Sequence, residues 1–246
     1  MHQVNFWGEL YIHRKKIAFA LAIIVILIGN NAFAQRHENP RRDLNLPFYD
    51  DKTMHYGFTI GLNSARFRTV HSPYYLQSDT LLSALSPGSP GFSLGFILNM
   101  KLDNHFDIRL LPTVAFYERM VEFRFRGGEI ENQVTESTFI EFPLLLKYKS
   151  QRRGNMRMYA VGGLKPSVEA GAKKRDKTDD QLRTNNTDLA LEYGFGFDFY
   201  FPLFKFSPEI RFSHGLVNML NRDPNVYSRS LNVLNTHTVS LFLHFE

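Results

Sequence analysis

The sequence predicts an all-β protein, an eight-stranded antiparallel transmembrane β-barrel of the outer-membrane type with both termini in the periplasm. Three observations predict it. Long segments alternate apolar residues with small or charged ones, connections alternate between long and short, and the N-terminal segment has the anatomy of an export signal. Because successive strand residues point to opposite faces, such segments present one apolar face to lipid and one polar face to the barrel interior.

The clearest alternating segment is residues 187–201, T-D-L-A-L-E-Y-G-F-G-F-D-F-Y-F, which stops at Pro202. Every second residue is leucine, tyrosine or phenylalanine, and the residues between them are small or charged apart from Tyr200. A strand usually has ~5–6 residues, whereas a transmembrane strand needs ~9–11. The length of this segment therefore favours a strand that crosses a membrane over a strand of a soluble sandwich.

The composition agrees with a barrel and excludes several other classes of protein. The chain has 246 residues, of which 43% are hydrophobic, too few for a bundle of membrane helices. With no cysteine, it has no disulfide framework, thiolate nucleophile or cysteine metal site. The net charge is +5, and it becomes +3 without the first 34 residues, which hold three basic residues and one acidic residue. That balance does not indicate nucleic-acid binding.

The first 34 residues have the three parts of a secretory signal peptide. Residues 13–16 are His-Arg-Lys-Lys, residues 17–28 are an unbroken apolar run, and A-F-A at 32–34 fits the cleavage pattern, so cleavage is expected after Ala34. The apolar run is too short for a helix that crosses ~30 Å of hydrocarbon. We predict a signal peptide over residues 1–34, a polar, extended periplasmic tail over 35–54 and the barrel over 55–246.

The first four strands follow the tail. They are predicted at residues 55–67, 91–102, 106–119 and 137–148. In the first, aromatic and aliphatic residues such as Tyr56 and Phe58 would face lipid. Asp-Asn-His at 103–105 has the composition of a tight turn. Pro143 removes a ladder donor from the inward face of the fourth strand, so we predict a local bulge there.

The other four strands follow the same rule. They are predicted at residues 156–170, 187–201 and 206–214 and at the end of the chain, where Val239, Leu241, Leu243 and Phe245 face lipid. In the fifth strand Gly162, Gly163 and Pro166 obscure the alternation, and its faces are left unassigned. The charged stretch within 171–186 is interpreted as a solvated loop.

The connections are sorted by length. Those after the first, third, fifth and seventh strands are long, at 68–90, 120–135, 171–186 and 215–234, and those after the second, fourth and sixth are short. The connection at 120–135 is interpreted as a hairpin that extends beyond the membrane. Outer-membrane barrels have an even strand number, short periplasmic turns and longer extracellular loops. A soluble sandwich has no reason to sort its loops in this way.

The inward-facing positions collect eight charged residues. They are Asp107, Arg109, Glu141, Lys147, Glu192, Asp198, Glu209 and Arg211. The interior of an eight-stranded barrel is about wide enough for side chains to fill, and unpaired charges are costly to bury. We therefore predict a structural network of ion pairs that closes the barrel. The alternatives are a conduit and a small-ligand site.

No catalytic, cofactor or metal site is predicted. A Ser–His–acid set at the membrane rim would need its nucleophile and base within hydrogen-bond reach. Ser213 and His214 are neighbours on one strand and therefore face opposite ways, and His237 and His244 also have opposite parities. Gly-Phe-Gly at 194–196 is interpreted as part of a strand, not as a phosphate loop.

Three segments, in matching order, resemble the PorT family of Bacteroidetes outer-membrane barrels. They are P-F-Y-D-D-K-T-M-H-Y-G-F-T-I-G-L-N-S-A-R-F at 47–67, E-F-P-L-L-L-K-Y at 141–148 and S-P-E-I-R-F-S-H-G-L-V-N-M-L at 207–220. The resemblance implies an accessory role in type IX secretion, the system that exports adhesins, proteases and gliding components. It brings no catalytic residues to transfer.

The residues by themselves predict an outer-membrane barrel with interaction surfaces. The tail from Gln35 to Thr53 and the outer loops, especially 68–90 with Tyr74 and Tyr75, are candidate contacts for secretion-system or envelope proteins. Outer-membrane lipid is the other expected partner, and nucleic acid is not expected. The competing functions are a surface adhesion or envelope-stabilising barrel and a small-solute channel.

Overall fold

A computed structural model of the protein describes residues 44–72, 81–125, 130–170, 184–221 and 231–246. The predicted signal peptide and its cleavage site, the part of the tail at residues 35–43, and Tyr74 and Tyr75 lie outside the described residues. The described chain forms one 3₁₀ turn, Tyr49–Asp51, and eleven β-strands. Within those ranges no helix is long and apolar enough to cross a membrane.

The strands alternate along the chain with turns and loops, and all their pairings are antiparallel. They are β1 (Met54–His71), β2 (Leu81–Leu85), β3 (Ser89–Lys101), β4 (Phe106–Leu110), β5 (Thr113–Phe125), β6 (Ile130–Glu141), β7 (Leu144–Lys149), β8 (Met156–Glu169), β9 (Thr187–Tyr200), β10 (Lys205–Gly215) and β11 (Leu231–Phe245).

The pairings close into a ring, because β1 pairs with β3 on one side and with β11 on the other. β4 and β5 lie end to end and both pair with β3, so together they occupy one position of the ring. In the same way β6 and β7 lie end to end and both pair with β8. The fold class is confirmed, but the strand count is corrected. The described residues form eleven strands, ten of which build the ring, and within these residues β2 pairs only with β5. The eight predicted segments correspond to the eight positions of the ring.

Prolines explain the difference in strand count. Pro112 separates β4 from β5 and Pro143 separates β6 from β7, and proline has no N–H to donate to a ladder. The two breaks lie side by side, since the Leu111 N–H donates to the Pro143 carbonyl over 3.0 Å. The interruption at Pro143 was predicted as a bulge, whereas the one at Pro112 was not predicted. Inward alternation continues across both breaks, with Arg109 and Thr113 both buried.

The predicted faces are confirmed on the strands for which they were assigned. The outer surface of the ring carries exposed apolar side chains, among them Tyr56, Phe58, Leu94, Phe96, Leu144, Leu146, Tyr193 and Phe195. The inner surface carries buried polar and charged side chains. The structure also assigns the faces of β8, where Arg157, Tyr159 and Lys165 are buried on the inner surface.

The three short connections, at 102–105, 150–155 and 201–204, lie at one end of the ring. Lys149 N–H donates to the His105 carbonyl over 2.8 Å, and Tyr200 N–H donates to the Asn155 carbonyl over 2.9 Å. The beginning of β1 lies there too, since Lys101 N–H donates to the Thr53 carbonyl over 2.8 Å, and so does the end of β11, since Lys205 N–H donates to the Glu246 carbonyl over 2.7 Å. We call this end the turn end and the opposite end the loop end.

Close backbone approach at one glycine gives a stability prediction. A Cβ on Gly163 would lie 2.0 Å from the Leu144 carbonyl oxygen of the paired strand, whereas a Cβ on Gly162 would meet nothing closer than 3.9 Å. We expect Gly163→Ala to lower the free energy of unfolding in detergent by about 1–3 kcal/mol through overpacking. Gly162→Ala, the matched control, should change it by less than about 0.5 kcal/mol. Equal urea midpoints for the two variants would contradict the close approach.

Candidate functional site

The interior of the barrel is the candidate site, because it gathers ionisable side chains that water scarcely reaches. Each of the eight predicted inward charges is at most 4% exposed. They lie on five strands: Asp107 and Arg109 on β4, Glu141 on β6, Lys147 on β7, Glu192 and Asp198 on β9, and Glu209 and Arg211 on β10. Burial on the inner face follows from strand parity alone.

Arg211 and Arg109 share the carboxylate of Glu209. Arg211 donates from Nε to Glu209 Oε1 over 2.8 Å, and its Nη2 also donates to that oxygen. Arg109 donates from Nη1 to Glu209 Oε2 over 3.3 Å. Arg211 Nη1 also lies 3.3 Å from Glu192 Oε2, so the guanidinium group bridges two strands. Charge-assisted bonds of this kind are stronger than neutral ones.

Lys147 forms a second pair, with Asp198. Its Nζ donates to both carboxylate oxygens over 2.9 Å and lies 3.7 Å from the centre of the Tyr159 ring. Ser207 Oγ donates to Asp198 Oδ1 over 2.7 Å, and Arg157 Nε lies 3.4 Å from Asp198 Oδ2. The carboxylate of Asp198 is therefore compensated from three strands.

Lys165 extends the network towards the loop end. Its Nζ lies 3.1 Å from Glu141 Oε1 and 3.2 Å from Glu192 Oε1, so it joins two carboxylates. Tyr117 donates from its hydroxyl to Glu141 Oε1 over 2.9 Å. The guanidinium carbon of Arg119 lies 4.4 Å from the centre of the Tyr117 ring, and this buried cation contacts aromatic faces.

Several members of the network were not among the predicted residues. They are Lys149, Arg157, Lys165, Lys205, His244 and Glu246. Lys149 lies one residue past the predicted end of the fourth strand, and Lys205 lies one residue before the predicted start of the seventh. Continuing the parity of each strand by that residue would have found both. Asp107 pairs with the missed Lys149 over 2.6 Å.

A folded N-terminal segment covers the turn end. Residues 44–53 were interpreted as part of an extended tail, but this part contains the 3₁₀ turn and contacts the barrel. Tyr49 donates from its hydroxyl to Glu246 Oε2 over 2.9 Å, and Asp50 Oδ1 lies 2.9 Å from Arg157 Nη2. Burial and the adjacent Glu246 carboxylate raise the pKa of Tyr49, which keeps its hydroxyl protonated as a donor. We call residues 44–53 the cap.

Apolar residues close the loop end. Inward-facing and loop side chains form one buried cluster: Phe67, Val121, Phe123, Leu220, Leu231 and Leu234. Met219 and Leu220 belong to the segment that follows β10, which was interpreted as part of the long connection at 215–234. Met219 N–H donates to the Leu234 carbonyl over 2.8 Å, and Asn218 Oδ1 accepts from Leu234 N–H over 2.9 Å. We call Met219 and Leu220 with this cluster the apolar plug.

Buried side chains of the described residues therefore occupy the interior at three levels. The cap lies at the turn end, the charged network occupies the middle and the apolar plug lies at the loop end. A small internal apolar cluster also packs beside the network: Ile97, Leu111, Leu145, Tyr159 and Val161.

The serine and histidine that were considered as nucleophile and base face opposite ways, as predicted. Ser213 is buried on the inner surface, whereas His214 lies on the outer surface and contacts Tyr193 and His237. His244 is buried in the network, so it lies on the other face from His237. In the described ranges no three metal-ligating side chains come together.

A closed antiparallel ring with an apolar exterior, a charged interior and short turns at one end defines the class of outer-membrane β-barrels. A family model described as outer membrane protein beta-barrel domain matches residues 33–221, and the chain belongs to that family. The protein is therefore placed in the outer membrane. By the rule of that class the turn end is periplasmic and the loop end is extracellular.

Solved barrels resemble this chain in overall structure at low sequence identity. Neisserial surface protein A has 9% identity and a TM-score of 0.42, over 78% of this chain and 98% of its own. OprG, an outer membrane protein from Pseudomonas aeruginosa, has 13% identity and a TM-score of 0.41, over 78% of this chain and 90% of its own. Ail, the attachment invasion locus protein of Yersinia pestis, has 13% identity and a TM-score of 0.36, over 79% of this chain and 98% of its own. A search of curated proteins finds no match.

Proposed function

We propose that this protein is a closed, non-enzymatic outer-membrane barrel that supports type IX protein secretion through contacts at its two ends. The observation that carries the closed-barrel part is the filling of the interior by the cap, the charged network and the apolar plug. A barrel that does not conduct through its interior must act through the surfaces that it presents to other molecules.

The charged network supports closure because its members hold each other in place. Removing one partner of a buried ion pair leaves an uncompensated charge, which is strongly destabilising. Widening the lumen would separate pairs such as Arg211 with Glu192 and Lys147 with Asp198, whose side chains are at most 3% exposed. Such a network favours one closed arrangement.

The secretion part of the proposal is supported by the resemblance to the PorT family. The three resembling segments supply parts of all three levels of the interior. Residues 47–67 contain Tyr49 and Asp50 of the cap, residues 141–148 contain Glu141 and Lys147, and residues 207–220 contain Glu209 and Arg211 together with the segment that closes the loop end. The segments that resemble the PorT family therefore contain residues from each of the three levels of the interior.

The test is deletion of the gene in its own host, followed by measurement of extracellular protease and adhesin. We expect both to fall several-fold in the culture medium and to return with a plasmid copy of the wild-type gene. A plasmid copy with Asp50→Ala and Tyr49→Phe, which frees the cap without touching the membrane face, tests the cap as a contact surface. Normal secretion in the deletion strain would overturn the secretion role.

A specific observation favours adhesion as the second candidate. β5 and β6 continue as a paired hairpin at the loop end, with register from Thr113 opposite Glu141 to Arg124 opposite Ile130. Its side chains Ile130 and Val134 are at least 50% exposed. In the deletion strain, loss of surface attachment with unchanged secretion would favour this candidate.

A further inference from the structure

The outer surface of the barrel carries a basic cluster at the loop end that neither the filled interior nor the secretion proposal uses. It consists of two arginines on β1 and two histidines on β10 and β11, which we call the rim cluster: Arg66, Arg68, His214 and His237. Both arginines are exposed, and the histidines are partly exposed. We propose that the rim cluster binds the phosphate groups of an anionic glycolipid in the outer leaflet of the membrane.

Strand register places the rim cluster at the edge of the apolar surface. Leu62, Leu241 and Ile210 are paired across three strands and form one exposed apolar row. The row two residues further towards the loop end is Ser64, Val239, Phe212 and Tyr193, and the next row is Arg66, His237 and His214. Tyrosine is enriched at the membrane interface, and Tyr193 lies in the row next to the basic row, which places the basic row at headgroup level.

The length of the apolar outer surface on β1 also places the rim cluster at headgroup level. On β1 the outward residues from Met54 to Leu62 are all apolar, and nine strand residues extend ~30 Å along the strand before tilt is considered. Strands tilted by ~35–45° would reduce this to close to the ~25 Å apolar band of outer-membrane barrels. Arg66 therefore falls just beyond the hydrocarbon on the extracellular side.

The electrostatics of the rim cluster favour an anion. Within the described residues neither Arg66 nor Arg68 forms an ion pair, and both lie close enough to His237 to repel its protonated form. Positive groups that have no carboxylate partner in the described part of the chain attract a negative ligand, and guanidinium groups match phosphate with paired donors. By contrast Arg124, also exposed at the loop end, is already paired with Glu122 over 2.6 Å.

A hydrogen-bond chain orients the two histidines. Tyr193 Oη lies 3.0 Å from His214 Nε2, and His214 Nδ1 lies 3.0 Å from His237 Nδ1. When Tyr193 donates to His214, neutral His214 carries its proton on Nδ1 and donates to His237, which then carries its own proton on Nε2. This arrangement leaves His237 with a free donor beside Arg66, its register partner on β1.

The occupant is a membrane lipid because the cluster faces outward at the level of the headgroups. A phosphorylated glycolipid can place its acyl chains over the exposed row of Leu62 and Leu241 while its phosphate meets Arg66 and His237. Free inorganic phosphate lacks the apolar part, and an acidic protein segment would approach from solvent and not from the bilayer.

The test measures lipid retained by the full-length mature protein in detergent, by native mass spectrometry after incubation with lipid A. We expect the wild type to retain lipid A and the double variant Arg66→Gln with Arg68→Gln to retain about 25-fold less, at about fivefold for each arginine. His237→Gln should give a smaller loss. Arg124→Gln is the matched control and should retain lipid A like the wild type. Heat-modifiable migration on gels verifies that every variant is folded.

Two further arms identify the source of the phosphate. Dephosphorylated lipid A should bind the wild type as weakly as lipid A binds the double variant, and inorganic phosphate at millimolar concentration should not displace lipid A. Equal retention by the wild type and the double variant, or full displacement by inorganic phosphate, would overturn the proposal. Neither result depends on whether the protein takes part in secretion.

Discussion

Replacing Glu209 with glutamine is expected to destabilise the folded barrel by about 3–5 kcal/mol, since it leaves buried arginines without their shared carboxylate. Glu209 is 1% exposed and accepts hydrogen bonds from both Arg109 and Arg211. The measurement is urea unfolding in detergent, followed by the loss of heat-modifiable migration on gels. The refolded yield should fall as well, because Glu209 joins β4, β10 and β11 through Arg109, Arg211 and His244.

Two controls make this result specific. Glu122→Gln removes an ion pair whose arginine is 54% exposed, and it should cost less than about 1 kcal/mol. The double variant Glu209→Met with Arg211→Met should recover part of the lost stability, since apolar replacement of buried partners is often tolerated. In that variant Arg109 keeps Glu246 and Glu192 keeps Lys165 as a partner. Equal losses for Glu209→Gln and Glu122→Gln would show that the interior charges contribute no more than surface ones.

The second large effect is the absence of conduction. The wild-type protein in a planar bilayer is expected to give no stable open-channel current, in contrast to a general porin reconstituted in the same way as a positive control. Ions would have to pass the apolar plug, whose buried side chains include Phe123, Leu220 and Leu234, and apolar side chains in a pore exclude water. They would then meet the charged network.

Large and stable currents from the wild type would favour the small-solute channel instead. A variant with Met219→Ser and Leu220→Ser tests which level closes the barrel. It replaces two apolar side chains of the plug with polar ones, which admit water, and it leaves the charged network intact. We expect this variant to remain closed. If it conducts freely, the apolar plug alone closes the barrel, and the prediction that the ion pairs close it is wrong.

The faces of the strands could be predicted from the sequence because side-chain alternation is a local property with a period of two. Asp198, Glu209 and Arg211 were placed inside on that ground, and the structure buries all three. On β8 adjacent glycines removed the signal, so Arg157 and Lys165 were missed. The break at Pro112 was missed because the alternation continues on both sides of it.

The ion-pair partners could not be predicted. Arg109 pairs with Glu246, 137 residues away, and Lys147 with Asp198, 51 residues away. Such pairs depend on the stagger of strands around the ring, which no local pattern determines. The apolar plug was also missed, because Met219 and Leu220 belong to a segment without alternation and become buried only when that segment folds against β11.

The side chain of Glu246 has a consequence for how the barrel is assembled. It contacts Arg109 on β4, Lys205 on β10 and Tyr49 of the cap, and its partner Tyr49 is 197 residues away. Contacts between such distant parts of a chain form late and slowly. A half-inserted barrel, with β1 not yet joined to β11, would leave Arg109 short of a counter-charge. Closure of the ring between β1 and β11 thus brings Arg109 a second carboxylate in addition to that of Glu209.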